Sequence, residues 1–263
     1  MFQYSPRKSR MLLSGNGMTY IWRRSPFTVM WLSAAFPGFG HVLMNQYARG
    51  LLLTLSEVAI NTLGHVNEAM VYTFCGQFEL AKSVLEPRWM YGYLIVYFFS
   101  MWSSYRTAFT MNRLSHLAEL ENTPMTRLHI TNFDIQFLER KNPIMAAMWS
   151  FFFPGLGFLY NQRIFLGIYA IAWWWIKGTM AHAYDSLFLL FSGRIAESIA
   201  VLNPQWLLFM PSVLGGSIYY SYTQTVDQNH LFMVEQKRFF VEQYRGGMIH
   251  RFFQREEEDH AHC

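Results

Sequence analysis

The sequence predicts an all-α fold, a polytopic helical membrane protein made of two tandem homologous repeats. Three observations predict it: long runs without charge, a low share of charged residues, and self-similarity at a fixed offset. Phe27 to Met44, Met90 to Ser104, Ile144 to Gln162 and Trp206 to Gln224 contain no Asp, Glu, Lys or Arg. Runs near 18 residues approach the length that crosses a hydrocarbon core of about 30 Å. Hydrophobic residues make up 52% of the 263-residue chain and charged residues 14%, which leaves too little polar surface to coat a water-soluble core built from all four runs.

Self-comparison organises the rest. At an offset of 117 residues, Arg23-Arg24-Ser25-Pro26 returns as Arg140-Lys141-Asn142-Pro143, and Phe36-Pro37-Gly38 returns as Phe153-Pro154-Gly155. The same offset carries Gly40 to Gly157, Gly50 to Gly167, His65 to His182, Gly76 to Gly193, Pro87 to Pro204, Trp89 to Trp206 and Asn112 to Asn229. Such matches fall mostly on Pro, Gly, His, Trp and Asn, which apolar composition bias does not supply, so the pattern reads as a duplication. The chain then divides into a polar N-terminal segment (1–22), a first transmembrane repeat (23–114), a polar linker (115–139), a second transmembrane repeat (140–231) and a charged C-terminal tail (232–263).

The N-terminal segment carries Arg7, Lys8 and Arg10, but Met11 to Leu13 is too short for a signal-peptide core, so no cleavage is expected. Each repeat opens with an apolar run broken by Pro-Gly-x-Gly: Pro37, Gly38 and Gly40, then Pro154, Gly155 and Gly157. Proline removes a backbone donor and glycine lowers the cost of bending, so each run should kink or stop there. Two readings stand: a tight helix–helix turn packed at small residues, or a re-entrant hairpin lining a substrate path. The amides of Asn45-Gln46 and Asn161-Gln162 follow at nearly the same distance and are placed to meet carbonyls that proline frees. A second apolar run comes next (Leu51 to Val66; Ile168 to Ala183), then a weaker stretch with Glu79 and Lys82, or Arg194 and Glu197. A final aromatic run starts at Trp89 or Trp206.

Three clear runs per repeat would make the repeats antiparallel. The basic residues argue otherwise, because a basic pair opens each repeat and Lys237, Arg238, Arg245, Arg251 and Arg255 follow the second. These ends prefer the cytoplasm, which requires an even number of crossings. Either the weak stretch also spans, or the Pro-Gly element is re-entrant and the weak stretch lies in the interface. Parallel repeats are favoured, with N-terminus, linker and C-terminus cytoplasmic.

The candidate functional residues are ionisable groups in apolar surroundings or groups kept by both repeats. His65 and Glu68 align with His182 and Asp185; three residues apart on a helix, imidazole and carboxylate share a face. They read as a proton or metal site at the repeat axis, or as helix-end residues with the acid capping the next helix. Glu57 and Lys177 lie inside the second runs, where an ionisable group is costly. They suit a cross-repeat ion pair or a transport role, and Lys177 also suits snorkelling. Trp173-Trp174-Trp175 reads as a lipid-facing or interface cluster. The terminal Asp259, His260, His262 and Cys263 have metal-ligand chemistry but read as solvated tail, and the two cysteines imply no disulfide framework.

The segments Ser33-Ala34-Ala35-Phe36-Pro37-Gly38-Phe39-Gly40 and Ser150-Phe151-Phe152-Phe153-Pro154-Gly155-Leu156-Gly157, each with Asn-Gln and Gly downstream, resemble the TM2-like and domain-of-unknown-function bacterial membrane proteins. The likeness covers about 25 residues per repeat, and His41 and Phe158 stand where that pattern has Gln. It implies a helical fold in a bacterial inner membrane and carries no reaction.

The net charge of +4 is too small and scattered for a nucleic-acid reader, and no nucleotide or hydrolase motif occurs. The expected partners are the lipid bilayer and a membrane protein or a second copy of the chain, with no cofactor and no nucleic acid. The functional expectation is a multi-pass, non-catalytic scaffold or accessory to partner proteins. The alternative is a small-solute or ion transporter using the broken helices and the two His-x-x-acid pairs.

Overall fold

A computed structural model describes residues 11–14, 17–121, 128–130 and 135–243. The terminal Asp259 to Cys263 cluster, the basic residues 7, 8 and 10, and Arg245, Arg251 and Arg255 lie outside the described residues. The protein is mostly helical. Strands β1 (Met11–Ser14) and β2 (Gly17–Tyr20) form an antiparallel hairpin with Met11 opposite Tyr20.

Helix α1 (Pro26–Ala35) starts on a proline that needs no backbone donor at its first position, with the Ser25 hydroxyl accepting from the Thr28 amide at 3.4 Å. A turn through Gly38 leads to α2 (Phe39–Leu43), and a second through Asn45 leads to α3 (Tyr47–Gly64). After His65, α4 (Val66–Phe74) and α5 (Phe78–Val84) pack as a short hairpin, and α6 (Pro87–Leu120) returns.

Strands β3 (Leu128–Ile130) and β4 (Ile135–Phe137) pair antiparallel in the segment between the halves. Then α7 (Pro143–Phe152), α8 (Leu156–Tyr160), α9 (Ile164–Met180), α10 (Ala183–Phe191), α11 (Ile195–Ala200), α12 (Pro204–Leu207) and α13 (Phe209–Gln243) follow. Helices α6 and α13 run past positions 114 and 231 respectively, so each long helix carries the last apolar run of its half onward into the polar segment.

Side-chain bonds trace the path of each half. Arg24 donates its backbone N–H to Asn112 Oδ1 at 2.9 Å, whereas the Gly38 N–H donates to Ser100 Oγ at 2.8 Å. Helix α1 therefore runs antiparallel to α6, from the level of residue 112 to that of residue 100. By Asn45 the chain has come back, since its Nδ2 donates to the Tyr20 carbonyl at 2.7 Å. Helices α1 and α2 thus enter and return on one side. Helix α3 then runs antiparallel to the N-terminal part of α6 and ends where Gly64 O accepts from the Glu86 N–H at 3.2 Å. In the second half, Lys141 bonds Asn229 Oδ1 at 2.8 Å, Asn161 bonds the Ser221 carbonyl at 3.0 Å, and the Asn203 N–H reaches Ala181 O at 3.1 Å.

The Pro-Gly turns require glycine twice over. Gly38 (φ 92°) and Gly155 (φ 105°) are left-handed, and a Cβ there would stand 2.4 Å from Gly50 O and 2.6 Å from Gly167 O. At Gly40 a Cβ would meet Val29 O at 2.6 Å, and at Gly157 Ala146 O at 2.2 Å. The Pro37 carbonyl accepts from Thr54 Oγ1 at 3.1 Å. The amide of Asn45 donates to the Tyr20 carbonyl, and that of Asn161 to the Ser221 carbonyl.

The interior mixes apolar and polar side chains, and many large apolar groups face outward. Ser33, Ser100, Ser104, Ser150, Ser221, Asn61, Asn161, Arg163 and Lys177 are buried. Phe98, Phe151, Phe188 and Phe191 point outward, the last 83% exposed. No single helix among the described residues is long and apolar enough to cross a membrane; α9 and α10 meet that test together, bent by 66°.

Candidate functional site between the two halves

Two polar clusters and a cavity lie where the halves meet. The first cluster sits near the Asn45 turn. Arg163, at the start of α9, is 2% exposed, and its Nη1 donates to Asn45 Oδ1 at 2.7 Å and to Tyr47 Oη. Its guanidinium lies 5.4 Å from the centre of the Tyr20 ring. Gln224, with its amide oxygen turned toward Arg163, accepts from that guanidinium and donates to Tyr220 Oη at 3.1 Å. Tyr20 Oη donates to Asp227 Oδ2 at 3.1 Å, and Arg24 pairs with the same carboxylate. Burial, and then the negative charge of Asp227, push the Tyr20 phenol well above its ordinary range. The second turn of each Pro-Gly hairpin is left-handed at Asn45 (φ 61°) and Gln162 (φ 57°), and this places Asn45 and Arg163 at the boundary.

The second cluster lies at the opposite end, around Asn61 on α3. Asn61 Nδ2 donates to Glu57 Oε1 at 3.1 Å and to Asn67 Oδ1 at 2.9 Å. Its Oδ1 accepts from the Asn67 N–H at 3.1 Å and from Gln205 Nε2 at 2.8 Å. Gln205, on α12 of the other half, also accepts from the Glu68 N–H at 2.9 Å. Every polar atom of the Asn61 amide is engaged, as burial demands.

Glu57 and Lys177 come together here, though not as a direct ion pair. Each lies within reach of the other's field, but Glu57 Oε2 and Lys177 Nζ have no hydrogen-bond partner among the described residues. Lys177 does not snorkel: it is fully buried, with Nζ 4.6 Å from the ring centres of Phe36 and Phe209 and 5.3 Å from that of Trp173. Trp173 therefore turns inward, while Trp175 is 54% exposed. Between the clusters lies a cavity of about 70 Å³, lined by Phe36, Phe39 and Thr54 from the first half and by Tyr169, Trp173 and Lys177 from the second.

The histidine pairs lie at the α3–α4 and α9–α10 corners. His65 (φ 52°) and His182 (φ 56°) are the left-handed residues that let one helix end and the next begin. His65 Nδ1 meets Glu68 Oε2 at 2.8 Å, and His182 Nδ1 meets Asp185 Oδ2 at 3.2 Å. Both imidazoles are about half exposed, at 51% and 53%. Each acid sits in the first turn of the following helix, where negative charge is favoured. No bond joins the two pairs. Among the described residues no group of three His, Cys, Asp or Glu side chains is placed to hold a metal.

Sequence reasoning brought out Glu57 and Lys177 but missed Asn61, Asn67 and Gln205, which look like ordinary polar residues in a string. Arg163 offered a signal: it is the charged residue standing where Gln46 stands 117 positions earlier. No protein-family model, no curated protein and no solved structure matches the chain.

Proposed function

We propose that the chain is a multi-pass membrane protein of two tandem, parallel repeats that serves partner proteins in a bacterial inner membrane as a non-catalytic scaffold or accessory. The observation that supports the membrane reading is an outward-facing apolar surface together with buried polar groups. Large apolar groups such as Phe98, Phe151 and Phe191 face outward, while Lys177, Arg163, Asn61 and Gln205 face inward. Lipid solvates the first set without cost, whereas the second needs partners that only the protein interior supplies.

In this reading α3, α6, α9 and α13 cross the bilayer as a packed group, none of them being long and apolar enough to cross alone, while α1–α2 and α7–α8 are re-entrant hairpins. The short α4–α5 and α10–α11 hairpins lie at the far face. Two crossings per repeat keep both ends and the linker on one side, in accord with the basic residues. Matching element starts support duplication: α1 and α7, α2 and α8, α3 and α9, and α4 and α10 each begin 117 residues apart. The left-handed positions Gly38, Asn45, His65 and Gly76 recur at the same offset.

Polar clusters tie the halves at both ends, and a rocking motion would have to break Arg163–Asn45 and Gln205–Asn61 in turn. That favours a fixed scaffold over alternating access. The cavity between the halves is the observation that favours a transporter, as a second reading. Reconstitution separates the two. Cross-linking in membranes recovers a stable partner or a second copy, and liposomes show no solute flux above empty vesicles. Flux that disappears in the His65→Ala, His182→Ala double variant would end the scaffold reading.

A further inference from the structure

We infer that the cavity between the halves binds an uncharged aliphatic molecule through a single acceptor oxygen, a hydroxyl or carbonyl, that takes a hydrogen bond from Lys177. The inference rests on the membrane reading for the supply of such molecules, which partition into lipid. Lys177 Nζ is fully buried, borders the cavity and has three N–H donors with no acceptor among the described residues. The rings of Phe36, Phe209 and Trp173 stabilise its charge but accept no conventional hydrogen bond. A buried ammonium with unmet donors calls for an oxygen at that place.

Charge balance chooses the kind of oxygen. Glu57 is 3% exposed and its field acts on Lys177, so the carboxylate and the ammonium together carry no net charge. A carboxylate ligand would add a net negative charge to an apolar chamber, whereas an alcohol or ester carbonyl adds none. The rest of the wall is mostly apolar, with Phe39, Val42 and Leu166 beside the ring of Tyr169, and carries the uncharged hydroxyl residues Thr54, Ser212 and Ser217. About 70 Å³ takes the oxygen and the first few carbons of a chain. Half-buried Phe36, Val213 and Gly216 at the rim leave room for the rest to continue outward.

The test uses the purified full chain in detergent and 1-octanol carrying a photoreactive diazirine at C3, with adducts mapped by mass spectrometry. The expected result is saturable labelling at cavity-lining residues such as Tyr169 or Ser212. Plain 1-octanol should compete at least about tenfold better than octanoate. Lys177→Met should weaken labelling about tenfold, the factor expected for a hydrogen bond to a charged donor. Val213→Phe, which keeps the lysine but fills the chamber, should abolish it. Labelling that does not saturate, that ignores both variants, or that octanoate competes better than octanol overturns the inference. Because binding is read in micelles, failure of the membrane reading shows separately, as release of the chain from membranes by an alkaline carbonate wash.

Discussion

Gln205 Nε2 lies 2.8 Å from Asn61 Oδ1, a hydrogen bond between two buried amides that are 144 residues apart and belong to different halves of the chain. Gln205 stands at the start of α12 where Arg88 stands at the start of α6, so one of two equivalent positions became a link and the other did not. Replacing Gln205 with leucine should cost about 1–3 kcal/mol for each polar group left unsatisfied on Asn61 and Glu68. A double-mutant cycle of Gln205→Leu with Asn61→Leu, read from unfolding in detergent, should show a smaller combined loss than the sum. Strict additivity would mean that the two residues do not act together.

Gly38 and Gly155 should be far less tolerant than Gly76 and Gly193. All four have positive φ, but a Cβ at Gly76 or Gly193 meets nothing within 4 Å. Alanine there should cost only the left-handed penalty, about 1–2 kcal/mol. At Gly38 or Gly155 the new methyl collides with the Gly50 or Gly167 carbonyl as well, so the loss should exceed that clearly. Thermal unfolding of the four single variants checks the order.

Removing one member of the Glu57–Lys177 pair should destabilise by about 3–5 kcal/mol, because it leaves a buried charge uncompensated. Replacing both, as Glu57→Gln with Lys177→Met, should recover much of that loss. If the double variant is as weak as the two singles summed, the pair is not electrostatically coupled.

The histidine corners should matter little to stability. The His65–Glu68 and His182–Asp185 pairs are partly exposed, and pairs of that kind contribute about 0–1 kcal/mol. Because both histidines are left-handed, His65→Gly and His182→Gly should retain or slightly raise the unfolding temperature, whereas alanine at either place should lower it. Equal effects of glycine and alanine would argue that the imidazoles, not the backbone, hold these corners.

The helical class and the 117-residue offset were legible because Pro and Gly punctuate the chain at positions that backbone geometry fixes. Pro37-Gly38 and Pro154-Gly155 mark real turns, and His65 and His182 mark real corners. Composition did not say whether the Pro-Gly break reverses the chain, since a kink and a reversal need the same residues. The reversal is decided by distant partners, Ser100 for Gly38 and Tyr20 for Asn45. Lys177 and Glu57 were visible as charges among apolar residues. Their aromatic and amide surroundings were not, because Phe36, Phe209, Asn67 and Gln205 reach them only through tertiary packing.

Cysteine labelling in opened bacterial membranes, before and after detergent, tests the central claim most directly. In a background with Cys75→Ser and Cys263→Ser, single cysteines replace outward-facing Phe98 and Phe151 and, as a control, Glu79 on α5. The lipid-facing account predicts that a membrane-impermeant maleimide in opened membranes labels the Glu79 position and leaves the Phe98 and Phe151 positions unmodified until detergent is added. Rapid labelling of all three before detergent would mean that the aromatic exterior meets water, and would contradict it.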